Sequence, residues 1–183
     1  SRVTCISYDY GQKHIVELQR ASANIDYLHS EGYTVEHIVT DLSSAMALFD
    51  SSLTDSETPV PEGHYEEEQM KQTVVPNRNA IFSSILYGYA LSVSTKEDVD
   101  VSMTLGVHSG DHAIYPDCRP EFYDALKHAF ETGNWGSERV TVDLPYVDGD
   151  KESILRDAII SCDSLELDFD TIFRNTNTSY SPD

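Results

Sequence analysis

The most chemically dense part of this sequence is residues 115–122, where acidic, thiol and guanidinium side chains stand among two prolines. Pro116 and Pro120 restrict the backbone and so preorganise the polar groups around them. An arginine beside carboxylates suits recognition of a carboxylate or of a planar heterocycle. Cys118 could serve as a nucleophile, although the sequence shows no base fixed beside it. We therefore expect a small-molecule site, formed by Tyr115, Asp117, Arg119 and Glu121.

Arg78 and Asn79 form a second cluster, after Pro76 and at the predicted start of a helix. A cation at the start of a helix opposes the helix dipole, so it needs a compensating reason to be there. A phosphate or carboxylate of a ligand would supply that reason, which makes both residues candidates for substrate binding. The alternative is an ordinary surface arginine paired with one of the many acids.

Polar residues also follow the first predicted strand, in the turn that leads into the first helix. Backbone amides at such a helix start can hold an anion or the edge of a base. The alternative is an ordinary turn in which glycine serves only the backbone geometry. The candidate residues for this function are Asp9, Tyr10, Gly11, Gln12 and His14.

A fourth cluster follows the most hydrophobic predicted strand, beginning with Gly106 and Val107. Asp111 lies there between His108 and His112. A carboxylate flanked by imidazoles at a strand end suits a magnesium ion or proton transfer. A merely hydrophilic loop is the alternative.

These clusters need elements that bring them together, and the apolar pattern predicts alternating strands and helices. The helix predicted at residues 79–93 has an apolar face formed by Ile81, Ile85, Leu86 and Tyr89. Alternation of this kind predicts an α/β fold with three layers, a mostly parallel sheet flanked by helices. Ligands of such sheets bind at the carboxyl ends of the strands. The predicted strands are residues 2–9, 33–42, 99–107 and 139–144, and the other helices are residues 14–28, 120–133 and one capped by Asp150.

The sequence shows neither an internal repeat nor a second domain, so we expect one domain over residues 1–183. The polar composition of residues 51–73 predicts a long loop, a feature that is often functional in compact domains. The tail from residue 163 onwards is less regular in pattern.

Charge and cysteine content limit the functions that this chain can have. Acidic residues number 32 against 12 basic ones, for a formal charge of -20, which argues against a broad nucleic-acid-binding face. Solubility, a salt-adapted host or mimicry of DNA would each explain this charge. Three cysteines without a CxxC spacing favour a reducing cytoplasm, and the sequence lacks an apolar run long enough for a membrane span.

The four clusters, in this order, resemble those of 7-cyano-7-deazaguanine synthases, a family of the pyrophosphatase-loop ATPase superfamily. The resemblance covers roughly residues 3–147 and implies a Rossmann-like fold of the adenine nucleotide alpha hydrolase type. Its last motif is long and unusual, which makes a chance match a poor explanation. The matching segments are residues 9–14 with Glu17, 52–55, 75–79 and 115–122.

The resemblance implies an enzyme that uses ATP and ammonia to convert 7-carboxy-7-deazaguanine into the nitrile, on the route to queuosine and related 7-deazapurines. It implies that residues 9–14, Gly106 and Val107 bind ATP and that Asp111 holds Mg²⁺. It also implies a homodimer. The implied catalytic residues are Asp111, Asp117 and Arg119, and the implied deazapurine-binding residues are Arg78, Asn79, Tyr115, Asp117, Arg119 and Glu121.

The chain departs from the family pattern in two ways. The family's phosphate loop is absent from this chain, and we expect it upstream of Ser1. The family's four-cysteine zinc site has no counterpart in residues 173–180, which makes bound zinc doubtful. A divergent phage-type member fits both this drift from the family pattern and the acidity of the chain. An enzyme that makes an amide or amidine would fit the missing cysteines, and a non-catalytic acidic nucleotide-binding module would fit the missing phosphate loop.

Overall fold

A computed structural model describes residues 2–12, 16–49, 51, 74–108 and 115–176. Strands and helices alternate along these ranges, and both strand pairings are parallel. The predicted α/β fold class is therefore confirmed. Within the described ranges, no helix is both long enough and apolar enough to cross a membrane.

The chain divides into two compact units, the first formed by Ser1–Pro76 with Ala158–Asp183 and the second by Asn77–Asp157. In the first unit, strand β1 (Val3–Asp9) pairs in parallel with strand β2 (Val35–Asp41). Helix α1 (Val16–Ser30) connects them, as expected for a parallel crossover. The predicted bounds of all three elements lie within two residues of these.

The first unit contains two further helices that the sequence pattern did not predict. Helix α2 (Ser43–Met46) follows β2 and buries Met46 completely. Helix α6 (Phe169–Arg174) lies in the tail that was expected to be less regular, and it is capped by Asp168. The side-chain amide of Asn24 in α1 donates to a carbonyl of α6 at 3.3 Å. A six-residue helix shows too little periodicity to be predicted, and its contacts with α1 stabilise it.

In the second unit, strand β3 (Val101–Thr104) pairs in parallel with strand β4 (Val140–Asp143). Helix α3 (Arg78–Glu97) precedes β3, and helix α4 (Pro120–Gly133) lies between the strands in sequence. The predicted strand at residues 99–107 is therefore too long, since the ladder ends at Thr104. The core of this unit is apolar, and it is formed by Tyr87, Ala90, Met103 and Val140 with Phe130 and Leu86 packed against them.

The buried face of α3 differs from the predicted one. Ile81, Ile85 and Tyr89 are only half-buried. The buried stripe instead follows the spacing of four, three and four residues that one helix face produces, and it contains Ser83, Tyr87, Ala90 and Ser94. Of the predicted face, Leu86 packs against the core. The other three residues were predicted wrongly because apolar periodicity does not register small polar residues, which allow close packing of a helix.

Helix α5 (Lys151–Ser164) begins as predicted, because the Asp150 carboxylate accepts from the Ser153 N–H at 2.8 Å. The start of α4 at Pro120 is also confirmed, with proline at the first helical position. Two short 3₁₀ turns complete the second unit, at Pro116–Cys118 and Ser137–Arg139. The first of these carries the densest polar cluster of the sequence.

Candidate functional site

The turn after β1 is held by its own side chains. The Gly11 N–H donates to the Asp9 carboxylate at 3.1 Å, and the Tyr10 N–H donates to the Gln12 side-chain oxygen at 2.8 Å. The Gln12 amide nitrogen donates to the Tyr8 carbonyl at 3.1 Å. Gly11 has a φ of 76°, a backbone conformation that residues other than glycine rarely adopt.

The buried side chain of Gln12 therefore stabilises the backbone of this turn. Its oxygen and its nitrogen both bind backbone groups, so the turn is preformed. The amides of Tyr10 and Gly11 both donate inside the turn. His14, which the sequence assigns to the same site, lies outside the described residues.

The 3₁₀ turn Pro116–Cys118 and the first turn of α4 form one continuous structure. The Cys118 N–H donates to the Tyr115 carbonyl at 3.0 Å, and the Arg119 N–H donates to that of Pro116 at 3.3 Å. The Arg119 carbonyl then accepts the first N–H groups of α4. Tyr115 and Cys118 are buried, Asp117 and Arg119 are half-buried, and Glu121 is exposed. The polar groups thus stand on a backbone that both prolines and these hydrogen bonds restrict.

Asn79 brings this turn together with the start of α3. Its side-chain nitrogen donates to the Asp117 carbonyl at 3.2 Å and to the Cys118 sulfur at 3.5 Å. Its backbone N–H donates to the Asp117 carboxylate at 3.4 Å. Two of the four clusters found in the sequence are therefore in direct contact.

The Asp117 carboxylate also serves as a cap for α3. Asn77, the residue that precedes this helix, has a φ of 61° and makes no side-chain cap hydrogen bond. Asp117 accepts a hydrogen bond from the first turn instead, and its charge is favourable at the positive end of the helix. The cap comes from another segment of the chain, which accounts for the absence of a cap signal next to Arg78.

Tyr123 and Ser83 belong to the same cluster, and sequence reasoning missed both. Burial raises the pKa of Tyr123, and Cys118 and Asp117 add to the rise, whereas Ser83 and Arg78 lower it. The Ser83 hydroxyl is close enough to act on this pKa, yet it has no partner in hydrogen-bond geometry among the described residues. The four-residue spacing of Asn79 and Ser83 was a usable signal, because it places both on one face of a helix.

Gly106 and Val107 follow β3 without regular structure, and Val107 is half-buried. Asp111, the proposed metal ligand, lies outside the described residues, as does the matching segment at residues 52–55. Within the part of the chain that the structure describes, no group of three His, Cys, Asp or Glu residues could hold a metal ion.

Parallel strands joined through helices, with polar residues after the strand ends, define an α/β protein of the Rossmann-like, adenine nucleotide alpha hydrolase class. The family model of queuosine biosynthesis protein QueC matches residues 1–183. This chain therefore belongs to the QueC family, and the resemblance found in its sequence is confirmed.

Curated relatives share one name. The 7-cyano-7-deazaguanine synthase of Alteromonas mediterranea is 43% identical over 168 residues, which cover 92% of this chain and 70% of that protein. The 7-cyano-7-deazaguanine synthase 1 of Colwellia psychrerythraea is 46% identical over 158 residues, or 86% of this chain and 66% of that protein. That of Pseudoalteromonas translucida is 40% identical over 157 residues, or 86% of this chain and 66% of that protein. The chain spans about two thirds of the length of these relatives.

Proposed function

We propose that this chain acts in the ATP-dependent conversion of 7-carboxy-7-deazaguanine and ammonia to 7-cyano-7-deazaguanine. The observation that carries the proposal is the direct contact between the Asn79 and Asp117 segments, which are the two substrate motifs of the resemblance. The membership of the chain in the QueC family supports the same reaction.

The substrate is a planar heterocycle with N–H donors on its pyrimidine edge and a carboxylate on its other ring. We assign the guanidinium groups of Arg78 and Arg119 to its carboxylate and ring face, since arginine binds both. We assign Asp117 and Glu121 to the N–H donors, because an ionised carboxylate only accepts hydrogen bonds. The buried Tyr115 bounds the site, and Asn79 contacts the Asp117 segment beside it.

The geometry of Asp117 fits this assignment. Among the described residues, its carboxylate receives one hydrogen bond, from the Asn79 N–H to one of its two oxygens. The other oxygen can therefore accept from a ligand.

The reaction needs two activation steps, the first on the substrate carboxylate and the second on the oxygen of the amide that it becomes, and each releases AMP. Adenylation of the carboxylate allows ammonia to form the amide, and a second adenylation allows dehydration to the nitrile. We assign ATP binding to the turn at residues 9–12 with His14 and to Gly106 and Val107. Bound Mg²⁺ supplies charge neutralisation for the triphosphate, and we assign it to Asp111. Asp111, Asp117 and Arg119 are the proposed catalytic residues.

Further proposals concern the state of the protein. We propose a homodimer in a reducing cytoplasm, supplied with free ammonia. Cys5, Cys118 and Cys162 are thiols that form no disulfide with one another, which is consistent with a reducing compartment.

The experiment is an incubation of the natural full-length protein with ATP, Mg²⁺, ammonium and 7-carboxy-7-deazaguanine. We expect AMP release that depends on the deazaguanine and a product whose mass is that of the nitrile. A product that stops at the amide mass would replace the proposed reaction with amide synthesis. Absence of both AMP and a new product at saturating substrate would refute the enzyme and leave a nucleotide-binding module, which calorimetry with ATP detects.

A further inference from the structure

Asn79 directs its donors into the protein. The side-chain nitrogen carries two hydrogens, and its two contacts are the Asp117 carbonyl at 3.2 Å and the Cys118 sulfur at 3.5 Å. The backbone N–H of the same residue reaches the Asp117 carboxylate at 3.4 Å. Three donors of one residue therefore converge on a single dipeptide, which leaves the side-chain oxygen for any other contact.

We propose that Asn79 is a positioning residue, which fixes the Asp117 carboxylate and the Arg119 guanidinium for the substrate and does not itself bind the substrate. This inference refines the site described above, and its kinetic consequence rests on the proposed function. Its structural consequence, that the 3₁₀ turn loosens when the Asn79 amide is removed, is independent of any reaction.

The 3₁₀ turn connects the dipeptide that Asn79 binds with Arg119. The Arg119 N–H is bonded to the Pro116 carbonyl at 3.3 Å, and its carbonyl accepts from Phe122 at 3.1 Å. Arg119 is thus continuous with both the 3₁₀ turn and α4. The side chain of Asn79 binds the two residues that precede Arg119. A shift of that dipeptide therefore moves the Arg119 backbone, from which the guanidinium side chain extends.

Cys118 provides a reporter for this position. It is 6% exposed, and its sulfur accepts from the Asn79 amide. A buried thiol reacts with a disulfide or maleimide reagent only when its surroundings open, so its labelling rate measures local opening. Cys162 is 4% exposed on α5 and reports on wider unfolding in the same sample.

The first test measures maleimide labelling of the full chain without substrate, read by peptide mass. In Asn79→Ala, we expect Cys118 to be labelled roughly tenfold faster, the effect that loss of about one hydrogen bond permits. Cys162 is expected to keep its rate. Ser84→Ala is the matched control, because Ser84 lies on the exposed side of the same helix and donates to the Ala80 carbonyl of its own helix at 2.7 Å. An unchanged Cys118 rate in folded Asn79→Ala overturns the proposal.

A second variant covers the case in which Asn79→Ala unfolds and both thiols react. Asn79→Asp keeps the side-chain shape and suits the first turn of a helix, but it lacks the two amide hydrogens. We expect the selective increase at Cys118 in this variant too. Slow labelling of Cys118 in Asn79→Asp would overturn the proposal.

The second test is kinetic. In Asn79→Ala, we expect the KM for the deazaguanine substrate to rise roughly tenfold with little change in the KM for ATP. A rise in this KM without faster Cys118 labelling would mean that Asn79 binds the substrate directly, which contradicts the proposal. If the wild-type protein shows no turnover, the proposed function fails, while the labelling result still decides the role of Asn79.

Discussion

The backbone N–H of Asn79 donates to the Asp117 carboxylate at 3.4 Å, so a residue 38 positions later in the chain caps the helix that begins at Arg78. The Asp117 carboxylate therefore has a structural role as a helix cap and a proposed role in substrate binding. One carboxylate oxygen stabilises the helix start, and the other faces no described donor. The negative charge also offsets the unfavourable position of the Arg78 cation at the positive end of the helix dipole.

Removal of the Asp117 carboxylate should therefore cost both stability and activity. We expect Asp117→Ala to lower the free energy of unfolding by about 1 kcal/mol, the usual cost of losing a cap. Asp117→Asn keeps an acceptor oxygen, so it should lower the free energy of unfolding by only a few tenths of that amount. It should still lower kcat/KM for the deazaguanine. Denaturant unfolding and steady-state kinetics measure the two effects. Equal destabilisation by both variants would contradict the capping role.

Arg119 should not be replaceable by lysine. A guanidinium offers planar, paired donors, whereas an ammonium is a point charge. We expect Arg119→Lys to lower kcat/KM for the deazaguanine by roughly 10²-fold, the loss of a bidentate charge-assisted contact. The matched control is Arg156→Lys, because Arg156 pairs on the surface with Glu152 at 2.5 Å. Similar kinetics for both variants would remove Arg119 from the substrate site.

The fold class could be predicted because its signals are local and periodic. Apolar runs with turn residues between them predicted the bounds of β1, α1 and β2 to within two residues, and Asp150 indicated the start of α5. The buried face of α3 could not be predicted in this way. Its position depends on partners distant in sequence, such as Met103 and Val140, which form one core cluster with Tyr87 and Ala90.

The residue types of the candidate site could be predicted from the sequence, but the contacts between these residues could not. Prolines, acids and Arg119 drew attention to residues 115–122, and Arg78 to the start of α3. The spacing of the two segments gave no indication that the Asn79 amide would bind Cys118, because that contact depends on how the two segments pack together. Gln12 shows the same limit, since its role as an internal clamp follows from the turn geometry.

Cys118 is expected to be structural and not a nucleophile. The thiol is buried against the Asn79 amide, whereas reactive cysteines are at least partly exposed. Cys118→Ser keeps a hydrogen-bond acceptor for Asn79, so activity should stay within roughly threefold of wild type, as for a modest packing change. Loss of activity by several orders of magnitude in a folded Cys118→Ser protein would instead indicate a covalent mechanism.

The charge of -20 should make stability depend on salt. Unbalanced carboxylates repel one another more in the compact state, and salt shortens the range of this repulsion from about 10 Å at 0.1 M to about 3 Å at 1 M. The described ion pairs, such as Arg139 with Asp98, lie at exposed carboxylates and lose little when screened. We expect the Tm to rise with potassium chloride up to 1 M, measured by calorimetry at pH 7. A falling Tm would mean that ion pairs outweigh the repulsion.

The cap of α6 predicts a pH dependence whose sign follows from its hydrogen bonds. The side-chain and backbone groups of Thr171 donate to Asp168 and lower the pKa of its carboxyl, with a smaller contribution from Arg174. The stabilisation is therefore complete above the unfolded pKa of about 3.9 and is lost as the pH falls through the lower folded value. Asp168→Ala should lower the Tm by about 2–4 °C at pH 6.

The difference between Asp168→Ala and wild type should shrink as the pH falls below about 4, since the wild-type carboxyl then becomes protonated. Thermal unfolding between pH 3 and pH 7 measures this convergence. Asp170→Ala is the matched control, because Asp170 lies in the first turn of the same helix without being its cap. A Tm difference that stays constant over this range would show that the Asp168 charge does not stabilise α6, and that the side chain acts only through packing.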